Sequence, residues 1–261
     1  MAKGKVKKDA QNSSAQSPQT PNWPALQPLA PPEDLSLETI VEDQIVVIPN
    51  LWTAALCKRY VAFLSALPLT TTPGVPKKGE ATRVNDRFQI QDPAFAKLLW
   101  EQTALKSLIT GEAEGDLASE SAQDWGGEVL GLNPNIRIYR YKPGHFFDQH
   151  YDESNNIEFP STPPTPAKTT WTLLLYLTSS STGCIGGETI FYPEPEPGRK
   201  LKPDPEPISV SPETGLALLH RHGNECMLHE GGKVTQGEKW VIRSDLCVRR
   251  SPKGILPHYM R

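Results

Sequence analysis

His150-Tyr151-Asp152 sets an imidazole and a carboxylate two residues apart. In an extended segment such residues project to the same side, so the pair can hold one metal ion. With a third ligand from elsewhere, the mixed nitrogen and oxygen donors suit non-haem Fe(II) that keeps open positions for oxygen and a cosubstrate. In a chain with six histidines, a His-x-Asp arises by chance about one time in four, so other features must support it. His229 is a candidate third ligand, with Lys239 ten residues on. A hairpin that sets the two on neighbouring strands would let the lysine hold a carboxylate beside the metal. His220 and His222, alternating at the end of an apolar run, are rivals for the third position. Gly186-Gly187-Glu188-Thr189 and Tyr141, nine residues before His150, are the remaining polar or glycine-rich signals near this stretch.

The elements that must position these residues are mostly strands. Asn135-Ile-Arg-Ile-Tyr-Arg-Tyr141 alternates as a half-buried strand does. Trp171–Leu177, Gly215–His220 and Lys239–Val248 are further β runs. With their Gly and Pro punctuation they predict an antiparallel sandwich or barrel. Before them, Gln44–Pro49 reads as a buried strand, and Asn50 is a cap for a helix with an apolar stripe of Leu56, Tyr60, Phe63, Leu64 and Leu67. Asp92-Pro93 opens a second helix whose inward face carries Phe95, Leu98 and Leu99. These helices buttress one sheet from outside.

The pieces together resemble the prolyl 4-hydroxylase-like branch of the Fe(II)- and 2-oxoglutarate-dependent dioxygenases. The resemblance spans about residues 36–250. It rests on Tyr-x-x-Gly-x-x-Phe-x-x-His-x-Asp from Tyr141 to Asp152, Leu-Leu-Leu-Tyr-Leu, Gly-Gly-Glu-Thr-x-Phe from Gly186 to Phe191, Gly-x-Ala-Leu-Leu from Gly215 to Leu219, and the stretch from His229 to Trp240. It implies a double-stranded β-helix (a cupin-like jelly roll) backed by N-terminal helices. It also implies His150, Asp152 and His229 as iron ligands, since His229 has the lysine at the family distance. Lys239 and the Tyr141 hydroxyl would receive the far carboxylate of 2-oxoglutarate, with Arg243 as a substitute or assistant and Tyr176 within reach. Fe(II), 2-oxoglutarate and O2 are the implied cofactors, with ascorbate as reductant. The implied reaction is hydroxylation of an aliphatic carbon with release of succinate and CO2, on a prolyl or other peptide side chain or on a small metabolite. Asn85 and Arg87 lie where the family places substrate-side polar residues, and Arg87 would meet a substrate carboxylate or backbone. Phe147 stands where the family often has tyrosine.

Composition bounds the rest. Of 261 residues 26 are proline, and the formal net charge is −3, which excludes a strongly basic nucleic-acid binder. Residues 1–35 read as a disordered tail. Residues 36–250 read as the catalytic domain, with helical support over 50–110 and the β core over 130–250, and 251–261 as a second tail. With no secretory signal and no membrane-length apolar run, the expectation is an intracellular protein, cytoplasmic or nuclear, with four reduced cysteines. A non-catalytic iron- or 2-oxoglutarate-binding module on the same fold is the alternative function. A structural zinc site is a third reading; it predicts four closed ligands, usually including cysteine, and no cysteine falls at a recognisable zinc spacing with His150 or His229. His145 reads as a loop residue or pocket-rim contact and His258 as part of the tail.

Overall fold

The computed structural model describes residues 20–72, 74–76, 79–111, 123–195 and 205–250. The elements follow in chain order. The first part holds β1 (Glu38–Val41), β2 (Ile45–Ile48), α1 (Ala54–Leu64), β3 (Thr70–Thr71), β4 (Arg83–Val84), β5 (Asp86–Gln91), α2 (Pro93–Gln102) and α3 (Leu105–Thr110). The second holds β6 (Val129–Leu132), β7 (Asn135–Tyr141), β8 (Phe146–His150), β9 (Asn156–Phe159), β10 (Thr165–Tyr176), β11 (Ile185–Gly186) and β12 (Thr189–Tyr192). The chain closes with β13 (Ile208–Val210), β14 (Ala217–Arg221), β15 (Leu228–Gly231), β16 (Val234–Gln236) and β17 (Lys239–Arg249).

A major antiparallel sheet runs β1-β2-β14-β10-β17-β7-β5-β3, and a minor sheet runs β13-β12-β15-β8-β4. Along the chain β7, β8, β10, β12, β14, β15 and β17 alternate between the two, which makes the double-stranded β-helix. The period of two sorts each strand of the major sheet. In β17, Trp240, Ile242 and Leu246 join the core against the helices, while Val241 joins Tyr139, Tyr141, Tyr176 and Phe191 between the sheets. Each fully buried Leu, Val or Ile contributes roughly 1.5–3 kcal/mol to holding these layers.

Helix α2 starts as its sequence dictates: Asp92 Oδ1 accepts from the Phe95 amide at 2.9 Å, and Pro93 fills the first turn. The cap of α1 differs from the expectation. Thr53 caps it, accepting from the Leu56 amide at 3.3 Å, whereas Asn50 adopts φ 55° in the preceding turn. The stretch 50–110 is also not purely helical, because β5 joins β7 and extends the major sheet.

The N-terminal boundary is corrected as well. Residues 20–35 pack on the helices and do not belong to a disordered tail. Trp23 stacks on Phe95 at 3.9 Å and donates to Asp92 Oδ2 at 2.8 Å, Leu26 is buried, and the Tyr60 hydroxyl donates to the Pro24 carbonyl at 2.6 Å. Residues 1–19 and 251–261, including His258, lie outside the described residues. Among the described residues no helix is long and apolar enough to cross a membrane.

Candidate active site

β8 and β15 are neighbours, and their register sets His150 directly opposite His229. Asp152, just past the end of β8, is buried like His229, while His150 is half-buried. One ligand atom from each of His150, Asp152 and His229 lies within 4.8 Å of the other two. His150 Nε2 is 3.8 Å from Asp152 Oδ1, and His229 Nε2 is 3.8 Å from Asp152 Oδ2.

Both rings are oriented from behind. His150 Nδ1 lies 2.8 Å from the Asp148 carbonyl and His229 Nδ1 lies 2.9 Å from the Met227 carbonyl. A carbonyl only accepts, so each Nδ1 carries the proton and each Nε2 lone pair is left for the cluster. Burial pushes the His150 ring down to about 4 and lowers His229 too, so both are neutral near pH 7. For Asp152, burial works upward, but the Arg243 guanidinium and the neighbouring imidazoles outweigh it and hold the carboxyl well below its usual range. Two neutral imidazoles and one carboxylate are the donor set that Fe(II) takes in a facial triad, so these residues fit the implied metal.

Lys239 heads β17, where Tyr141 of β7 is its cross-strand partner. Its ammonium is buried, donates to the Gly187 carbonyl at 2.6 Å, and stands 4.9 Å from the Tyr176 ring and 5.7 Å from the Tyr141 ring. Burial lowers it to about 8. The Gly186-Gly187 signal acquires a reason here. Gly187 has φ +79°, and a Cβ on it would meet the Lys239 side chain at 3.1 Å, so glycine is what lets this turn close on the lysine. The Tyr176 hydroxyl is already engaged with Thr189 at 2.7 Å, and burial pushes the phenols of Tyr141 and Tyr176 up, which keeps both neutral donors.

Arg243 shares the face of Lys239 but reaches a different anion. Its Nη2 donates to Asp152 Oδ2 at 2.8 Å, and Thr172 Oγ1 donates to the same oxygen at 2.8 Å. The expected place beside Lys239 is thus revised: in this structure Arg243 holds the candidate metal-binding carboxylate. His222 bonds Thr172 and Thr169 through its two nitrogens at 3.0 and 2.9 Å, and so is spoken for. His220 is buried with Nε2 unpartnered, 3.7 Å from Asp152 Oδ2. Phe147 stacks on His150 at 3.6 Å.

Two residues escaped the sequence reading. Cys226 accepts from the Asp152 amide at 3.3 Å and sits 3.9 Å from His229 Nδ1, forming with His220 and His229 a second, overlapping metal-capable group. Burial pushes its thiol up to about 11, which disfavours the thiolate that a zinc site needs. Arg83, on β4 opposite Phe147, is the second; only a side-chain view could have found it.

A single cavity collects Tyr139, Tyr141, Phe147, His150, Asp152, Thr189, His220, His229, Lys239 and Arg243. Asn85 is buried at its edge, held by Thr72, and Arg87 is half-buried on β5 opposite Tyr139.

Residues 136–244, which carry this cavity, match the family model of the 2OG-Fe(II) oxygenase superfamily. The matched family is the one that the sequence resemblance named. No curated protein matches the chain. Similar solved structures include a viral collagen prolyl hydroxylase from Paramecium bursaria Chlorella virus-1 (16% identity over 78% of this chain and 96% of that one, TM-score 0.45). Others are a Pseudomonas putida prolyl-4-hydroxylase (16%, 80% and 94%, TM-score 0.46) and a 2OG-Fe(II) oxygenase family oxidoreductase from Burkholderia pseudomallei (16%, 80% and 86%, TM-score 0.49).

Proposed function

We propose that this protein is an Fe(II)- and 2-oxoglutarate-dependent hydroxylase acting on an aliphatic C–H bond, in a peptide side chain such as a prolyl ring or in a small metabolite. The observation that carries the reading is the pairing of two features in one cavity: three neutral or anionic ligand atoms converging within 4.8 Å, and a buried lysine with no acidic partner at ion-pair distance among the described residues. His150, Asp152 and His229 would hold Fe(II), which supplies oxygen activation at the expense of 2-oxoglutarate. Lys239 binds the distal carboxylate of 2-oxoglutarate, because a buried ammonium needs an anion and this one has only a carbonyl. The Tyr141 hydroxyl donates to the same carboxylate. Arg243 and Thr172 fix one oxygen of Asp152 and so aim the other at the metal. Phe147 and His150, stacked together, exclude water from one wall. Succinate and CO2 are the coproducts, and ascorbate keeps the iron reduced.

The test is an anaerobic titration of the purified protein with Fe(II) and 2-oxoglutarate. A visible charge-transfer band is expected in the wild type and is expected to vanish in His150→Ala. A folded wild-type sample with no band refutes the oxygenase reading.

A further inference from the structure

The aromatic wall of the cavity carries more positive charge than the reaction uses. Arg83 and Arg87 lie against it from opposite sheets. Arg83, on β4, lies over the Phe147 ring at 4.9 Å and over the Tyr139 ring at 5.7 Å, and both rings line the cavity. Arg87, on β5, pairs with Tyr139, which pairs in turn with Val241, so Arg87 shares the inner face of the major sheet. It is half-buried, and its side-chain contact is the neutral Gln89. Other charged groups nearby are matched. Arg137 pairs with Asp245, Arg243 with Asp152, and Arg140 and Lys142 with Asp86. No Asp or Glu among the described residues lies at ion-pair distance from Arg83 or Arg87, the cavity-lining Glu230 included. Burial lowers the Arg87 pKa, and Arg83 and Arg137 lower it further by crowding it with like charge. Between the two arginines, Asn85 is fully buried and its side chain faces the Tyr141 hydroxyl; its Nδ2 makes no hydrogen bond of good geometry, while Thr72 donates to its Oδ1.

Half-buried cations without an anion, next to an orphaned amide donor, are costly in the free protein. Their arrangement makes sense when a ligand brings the missing acceptors. We propose that the substrate carries an anionic group, a carboxylate or a phosphate, that docks on Arg83 and Arg87 with the Asn85 amide as third donor. This places the reacting carbon of an acid-bearing substrate at the metal site, one aromatic ring inward past Phe147. The inference rests on the oxygenase reading and narrows its substrate class.

The experiment uses protein loaded with Co(II) and saturating 2-oxoglutarate, so that Lys239 is filled. Paramagnetic relaxation of probe protons is compared with a Zn(II)-loaded control. The small probes are N-acetylglutamate methylamide and its glutamine counterpart; the peptide probes are a Glu-Pro-containing octapeptide and its Gln version; inorganic phosphate is followed through phosphorus. The acid member of a pair is expected to be relaxed about tenfold more strongly than the amide. Arg83→Gln and Arg87→Gln are each expected to erase most of that difference, and Arg83→Lys and Arg87→Lys to keep part of it. Enhancement confined to the octapeptide assigns a peptide acid; enhancement of the small probe or phosphate assigns a small acid. Equal relaxation of acid and amide, or unchanged preference in both glutamine variants, overturns the proposal. The Fe(II) band, measured on metal-free protein of the same batch loaded with Fe(II) instead of Co(II), reports separately on the oxygenase reading. If that band is missing, the same acid-versus-amide comparison is made by line broadening in the metal-free protein.

Discussion

Replacing Lys239 by methionine should make the metal-free protein more stable while abolishing 2-oxoglutarate binding. The ammonium is buried, and its partner is the Gly187 carbonyl at 2.6 Å. Its pKa is pushed from 10.5 to about 8, first by burial, with Cys184 and Glu188 acting weakly the other way. Because the folded value lies below the unfolded one, the charge opposes folding. The opposition is complete below pH 8 and disappears as pH rises towards 10.5. At pH 7 the penalty is about 3 kcal/mol, and by pH 9.5 it is about 1 kcal/mol. Methionine fills a similar volume and forfeits the carbonyl hydrogen bond, worth about 1 kcal/mol. The net gain for Lys239→Met is therefore about 2 kcal/mol at pH 7 and close to zero at pH 9.5. For a chain of this size it is read as a Tm rise of about 4–8 °C at pH 7. Tyr141 and Tyr176, which face the ammonium, remain neutral through this window because burial raises both. Thermal unfolding by circular dichroism at the two pH values measures the gap. Adding 2-oxoglutarate at a hundredfold excess over Kd should stabilise the wild type by about 2.7 kcal/mol and the variant not at all. A variant no more stable than wild type at pH 7, or an offset that does not shrink by pH 9.5, refutes the argument that Lys239 awaits an anion.

Arg243→Met should destabilise the metal-free protein by about 3–5 kcal/mol, since it leaves the Asp152 carboxylate buried with Thr172 as its main donor. Ni(II) should recover part of that loss, so the metal-induced Tm shift is expected to be larger in the variant than in wild type. Gly187→Ala should weaken 2-oxoglutarate binding about tenfold or more with a smaller effect on metal affinity, because its Cβ would press on the Lys239 side chain at 3.1 Å; titration of each ligand separately checks this. Trp23→Ala removes the stack on Phe95 and the hydrogen bond to the capping Asp92, and should cost about 2 kcal/mol in urea unfolding. A loss below about 0.5 kcal/mol would return residues 20–35 to the status of a tail.

Much of the β core could be read directly because its signal is local. The alternation of Asn135–Tyr141 reproduces β7 to the residue, and the Asp92-Pro93 start of α2 holds because cap and first turn are adjacent in sequence. What escaped depends on distant partners. β5 also alternates, with Asp86, Phe88 and Ile90 buried, but its first inward residue is a carboxylate. That acid is tolerated only because Arg140 and Lys142, more than fifty residues on, neutralise it. The N-terminal stretch failed for a related reason. Its composition averages to a solvated coil, yet Trp23 and Leu26 anchor it through contacts with α1 and α2, which composition cannot weigh.

At the site the same division separates which residues face the cavity from what each one holds. Strand parity correctly sets Arg243 on the face of Lys239, because residues four apart in a strand project alike. Parity leaves open whether the guanidinium turns along its own strand or across to the next. That is decided by register: β10 pairs with β17 so that Leu174 lies opposite Arg243 and Thr172 lies opposite Asp245. The guanidinium then meets both the Thr172 hydroxyl and, directly, Asp152, which follows β8 in the other sheet. With Asp152 neutralised by Arg243, the two arginines against the aromatic wall and the lysine at the inner end are left without anions of their own. In the proposed function 2-oxoglutarate answers the lysine. The remaining positive charge at that wall is what an uncharged substrate would leave unmatched, which is why the acid-versus-amide comparison bears on function as well as on binding.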